Sequence, residues 1–190
     1  MKKDKQFILT GLVASILLVI NYVLMAALLM SDSVNSTALM ITRLASPVLL
    51  IIVLLSLRHV LVAMAGLKNF NLVISLFLVV QLFIFLILLK SRPDTASGGF
   101  LGTFAIILGL FNLGLFIWFS VALLKIKPES LTGHIYLKAF VITALAIMLT
   151  SLILSLAGVE NKAVTGLLAG NSSGIQYIFM TAFFWTRLNI

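Results

Sequence analysis

The sequence predicts an all-α, polytopic membrane bundle, and three observations carry that prediction. Apolar residues make up 62% of the 190 residues and charged residues only 9%. Soluble domains are about half apolar and about a quarter charged, so the charge here cannot clothe a water-facing surface. Segments such as GLVASILLVINYVLMAALLM run apolar without alternation. Lipid offers no water to backbone N–H and C=O groups, which leaves helices or a closed barrel. Barrel strands alternate apolar and polar residues, and these segments do not.

Crossing about 30 Å of hydrocarbon takes roughly 20 residues at about 1.5 Å each. By that measure six candidate spans run over about 7–30, 39–65, 70–89, 99–124, 135–157 and 174–188, forming a single domain over 1–190. The first follows the basic start MKKDKQ, and its apolar run from Phe7 to Met30 exceeds the roughly 7–15 residues of a signal-peptide core. It lacks a small-x-small cleavage site before SDS and reads as a retained span. The second is interrupted late by Arg58 and His59. The third ends at KSRPDTASG, where Pro93 stops the helix. The fourth ends at KIKPESLTGH and the fifth at GVENKAVTGLLAGNSSG. The sixth carries Trp185 beside Arg187, the composition of an interfacial anchor.

Cytoplasmic loops retain Lys and Arg. Placing the N-terminus inside collects Lys2, Lys3, Lys5, Arg58, Lys68, Lys125, Lys127, Lys138 and Arg187 on the cytoplasmic face, leaving Arg43, Lys90, Arg92 and Lys162 outside. Six spans with both termini cytoplasmic follow. The lysine-rich start fits a bacterial cytoplasmic (inner) membrane. The net charge of +8 is distributed singly between apolar runs. That pattern suits topology and anionic headgroups, whereas a nucleic-acid partner would want basic and aromatic residues on one face.

Arg58 and His59 admit two readings. From Leu44 to Leu57 the second span is uncharged, about 21 Å of helix, and both flanking arginines can snorkel outward to complete the crossing. Alternatively a helix starting with Ser46 as cap and Pro47 at its first position, and stopping at Gly66, sets Arg58 deeper. A charge at midplane costs about 3 kcal/mol on insertion scales, which favours the edge. In the deeper frame Arg58 becomes a functional-site candidate.

Three amides fall at depth, Asn21, Gln81 and Asn112. They are either a polar site between helices or interhelical glue, each bond contributing about 0.6 kcal/mol and up to about 2. Small residues at helical spacing mark close-packing faces, available also to a partner subunit or a second copy: Gly11, Ala14 and Ser15; Gly98, Gly102, Ala105 and Gly109, continued by Asn112; Ala139, Thr143, Ala146, Thr150 and Ala157, with Ile153 interrupting. Residues 163–174 read either as a loop with a helix cap or as a discontinuous helix.

The enzyme classes find little support. Without cysteine, disulfides, thiolate metal sites and iron–sulfur clusters are excluded. His59 and His134 lack a second ligand at metal-binding spacing, and no cofactor motif occurs. All five carboxylates fall in loops or tails, away from where ion-coupled carriers place them. TASGGFLGT, with Ser97, is similar to the start of a rhomboid-protease helix, and AVTGLLAG to the helix carrying its base. Val164 occupies the position of that base, and a serine without one is not activated. In size, span number and placement of its ends the chain resembles the substrate-binding subunits of energy-coupling-factor vitamin transporters, an architectural resemblance. It implies an outer-loop cap over a ligand pocket, formed by Arg92, Asp94, Glu160, Lys162 and Asn171. The expected function is non-enzymatic: a transport-related protein or the integral subunit of a transport complex. The alternative is a structural or assembly protein with no ligand.

Overall fold

The computed structural model describes residues 2–31, 36–90, 100–156 and 172–189, and the described residues are helical with short connections. Six long helices follow one another: α1 (Lys2–Met30), α2 (Ser36–Arg58), α3 (Phe70–Lys90), α4 (Phe100–Leu124), α5 (His134–Leu156) and α6 (Ser172–Leu188). Five of them, α1 to α5, are long and apolar enough to cross a bilayer. The sixth candidate span corresponds to α6, which is shorter than the other five. Its 17 residues make about 25 Å of helix, and its sequence SSGIQYIFMTAFFWTRL is the more polar one.

Each helix packs on its neighbours in chain order, and α6 closes on α1, so the six form a ring. The thinnest seam lies between α4 and α5. Alternating direction puts the start of α1 beside the end of α6, and the core residues Ile8, Leu12 and Leu18 of α1 share one cluster with Tyr177, Met180, Phe183 and Phe184 of α6. The outer surface is as apolar as the interior: Leu18 is 0% exposed and the adjacent Leu17 45%. Water would drive an exposed face to polarity, so an apolar-out, apolar-in helix identifies lipid as its solvent.

Gly11 shows how tightly the ring closes. A Cβ there would lie 2.6 Å from Phe184 Cζ and 2.7 Å from Ser56 Cβ, so hydrogen in place of a side chain is what lets α1, α2 and α6 meet. One turn on, Ser15 Oγ donates to Leu12 O and lies 3.0 Å from Thr181 Oγ1 across the α1–α6 seam.

Helix α2 runs through Pro47 instead of starting there, which corrects the alternative in which Ser46 caps a new helix. Proline has no N–H for the carbonyl one turn back. The loosened turn is stitched by side chains: Asn21 Nδ2 of α1 donates to Thr42 O at 2.9 Å and to Ser46 Oγ at 2.8 Å, and Ser46 Oγ donates to Thr42 O at 3.2 Å. These bonds fasten α1 to α2 at the proline turn, while the carbonyl that Pro47 leaves without an intrahelical donor is that of Arg43. Past Arg58 the helix widens into a π turn, His59–Met64, and stops at Gly66, whose φ of +69° suits glycine. Leu67 N–H donates back to Leu61 O at 2.8 Å.

The close approach at Gly11 makes a clear expectation. Gly11→Ala should lower the melting temperature of the purified protein, because overpacking a seam costs about 1–3 kcal/mol. Gly114→Ala, at a position with nothing within 4 Å, should leave melting unchanged or raise it.

Candidate functional site

A half-open cavity of about 390 Å³ lies within the ring, and all six helices contribute to it. Tyr22 comes from α1, Leu50 and Leu54 from α2, and Phe77, Gln81 and Ile84 from α3. Gly109, Asn112, Leu113, Phe116 and Phe119 line the α4 side; Phe140, Ala144, Ile147 and Met148 come from α5; Gln176 and Tyr177 come from α6. The volume falls in the range of small-molecule sites, about 300–1,000 Å³. Toward the end of the bundle where α3 begins, Phe119 closes the floor by meeting Phe70 and Phe77 edge-on, with centroids 6.0 and 5.7 Å apart. A wall is built by Tyr22 and Tyr177, stacked at 5.7 Å and 10°, with Phe140 tilted against Tyr177 at 5.6 Å.

The polar groups are few and uncharged. No Lys, Arg, His, Asp or Glu lines the cavity among the described residues. Gln81 is buried at 6% exposure. Asn112 Oδ1 is buried with no hydrogen-bond partner, a state that costs about 1–3 kcal/mol in a folded protein. A small molecule offering an N–H or O–H would satisfy that acceptor.

The three deep amides take different places. Asn21 spends its donors on the α1–α2 contact beside Pro47 and does not line the cavity. Gln81 of α3 and Asn112 of α4 both line it. Tyr22, Gln176 and Tyr177 are partners that sequence reasoning missed. Tyr22 directly follows Asn21, and Gln176 and Tyr177 open a helix taken for an anchor, so no spacing joined them to the amides.

Arg58 and His59 address different neighbours. Adjacent helical residues point about 100° apart, and α2 lies between α1 and α3. Arg58 Nε donates to Asn71 Oδ1 in the first turn of α3 at 2.7 Å. His59 Nε2 lies 3.0 Å from Asp4 Oδ1 in the first turn of α1, and its ring stacks on Phe7 with centroids 4.3 Å apart. Both residues therefore sit at the bundle end where α1 and α3 begin, remote from the cavity lining. The outer-loop candidates Arg92, Asp94 and Asn171 lie outside the described residues, as does most of the 163–174 segment; α6 starts at Ser172.

The small-residue stripes also divide. Gly11, Ala14 and Ser15 are buried in helix contacts. Gly109 has nothing within 4 Å of an added Cβ and forms cavity wall. Ala146, Thr150 and Ile153 of α5 are exposed. Compared with known protein families, with characterised proteins and with solved structures, the chain matches none.

Glue and site can be separated by stability. Asn21→Leu should destabilise the protein by about 0.6–2 kcal/mol through loss of its interhelical bonds. Asn112→Leu should leave thermal unfolding unchanged or stabilise it by up to about 1–3 kcal/mol, because an orphan acceptor disappears.

Proposed function

We propose that this multi-pass membrane protein is non-enzymatic and transport-related, either itself a small carrier or the integral, ligand-holding subunit of a transport complex. The observation that carries the reading is the cavity at the centre of the ring, walled by every helix and furnished with amides, phenols and one unpaired buried acceptor. The same lining contains no acid, base and nucleophile arranged on a shared reacting point. Its chemistry is that of recognition: aromatic faces for a flat apolar body, Gln81, Asn112 and Gln176 for its polar edge. The ligand is a small uncharged molecule, since an ion would lose its water without gaining a counter-charge.

In this reading six crossings place both ends in the cytoplasm of a bacterial cell, α6 crossing as the shortest helix. The support is the basic set that includes Lys68, Lys125, Lys127 and Arg187. The exposed α5 face with Ala146, Thr150 and Ile153 is where a partner subunit or second copy would seat.

The test is ligand-induced stabilisation of the purified protein. Neutral aromatic amides and alcohols should raise its melting temperature, as a ligand at about a hundred times its Kd adds about 2.7 kcal/mol. Their carboxylated or aminated counterparts should not, and Asn112→Leu should abolish the shift while folding normally. Equal stabilisation by the charged compounds, or a response retained in Asn112→Leu, contradicts the reading.

A further inference from the structure

A second concavity, of about 770 Å³, lies at the bundle end where α3 begins and α4 stops, on the outside of the ring. Its rim carries Lys68 from the turn before α3, and Lys125 and Lys127 just beyond α4. All three lysines are exposed. Among the described residues none of them has a carboxylate partner, and no Asp or Glu lines the groove; Glu129, in the Pro128–Ser130 turn, is exposed and outside the lining.

Below the rim the groove turns apolar. Trp118 and Val121 lie one turn apart on α4, and Lys125, the residue directly after the helix, follows four positions on. Trp118 lies about 10 Å below Lys125 along the axis. Leu72 of α3 forms the opposite side. These residues face outward, with exposures of 46% for Trp118, 44% for Val121 and 59% for Leu72.

Amines above an apolar, lipid-facing stripe match one class of molecule by both charge and shape. We propose that this groove binds an anionic phospholipid, its phosphate held by Lys68, Lys125 and Lys127 and one acyl chain lying along Leu72, Val121 and Trp118. Three ammonium groups at one rim make it attractive to an anion. A phosphodiester supplies the charge and its tail covers the apolar stripe. Basic grooves between helices at a membrane surface recognise headgroups in this manner. The site is separate from the central cavity: the two share no lining residue.

The chain has two tryptophans, so Trp185→Phe leaves Trp118 as the sole reporter. The protein is reconstituted into phosphatidylcholine vesicles containing a minor fraction of either brominated phosphatidylglycerol or brominated phosphatidylcholine, whose bromines quench nearby indole fluorescence. Brominated phosphatidylglycerol should quench Trp118 more strongly at equal fraction. Lys125→Gln should reduce that preference about fivefold, as one cation near an anionic headgroup contributes. Combining Lys68→Gln, Lys125→Gln and Lys127→Gln should erase it while unaltered circular dichroism shows the helices intact. Inorganic phosphate in the buffer should leave the quenching in place. Equal quenching by the two lipids, a preference surviving in the triple variant, or displacement by inorganic phosphate alone overturns the proposal.

Discussion

Lipid gives helices no hydrophobic reason to associate, so this fold depends on how closely helices can approach one another. The decisive approach is at Gly11, where Phe184 and Ser56 fill the space a side chain would take. That junction joins α1 to both α2 and α6 and so turns a row of helices into a ring. Ser15 with Thr181, and Asn21 with Thr42 and Ser46, extend the same contacts along α1. Closure in turn creates an inside: without α6 returning to α1, Tyr22 and Tyr177 would not stack and the central cavity would lack a wall.

The distribution of polarity follows from the same solvent. At one bundle end Asp4 meets His59 and Arg58 meets Asn71, contacts that tie the starts of α1 and α3 to the end of α2. Among the described residues, the polar groups lining the central cavity are amides and phenols. Where an amide is spent on a neighbouring helix, as at Asn21, it acts as a fastener. Asn112 Oδ1 is left unspent and lines the cavity, whereas Ser120 Oγ and Arg187 Nε, also buried without partners, lie outside its lining. The two asparagines thus differ: one is bonded between helices and the other lines the cavity with its oxygen unpartnered.

The helices were legible in the sequence because each apolar run is long and bounded by charged or turn-forming residues such as Pro93 and Lys125. The run through Pro47 was ambiguous, since proline opens helices as readily as it interrupts them, and what decides the matter is Asn21, a residue of a different helix. The cavity was half legible. Gln81 and Asn112 stand out as amides in apolar spans, whereas Tyr22, Gln176 and Tyr177 become neighbours only through the closure of α6 on α1. The exposed face of α5 shows the limit of the small-residue signal: Ala146 and Thr150 have the spacing of a packing seam and are exposed. Spacing reports what a helix can accept, and ring order determines what it receives.

Closure of the ring is most directly measured by cross-linking α1 to α6 in the membrane. The chain contains no cysteine, so a Ser15→Cys, Thr181→Cys pair forms the sole possible intramolecular disulfide, at positions whose hydroxyls lie 3.0 Å apart. Mild oxidation of native membranes should convert this double variant to a cross-linked monomer, while Leu17→Cys paired with Thr181→Cys, with Leu17 on the lipid face, should stay uncross-linked. Failure of the first pair to join, or equal joining of both, would show that α6 does not return to this face of α1.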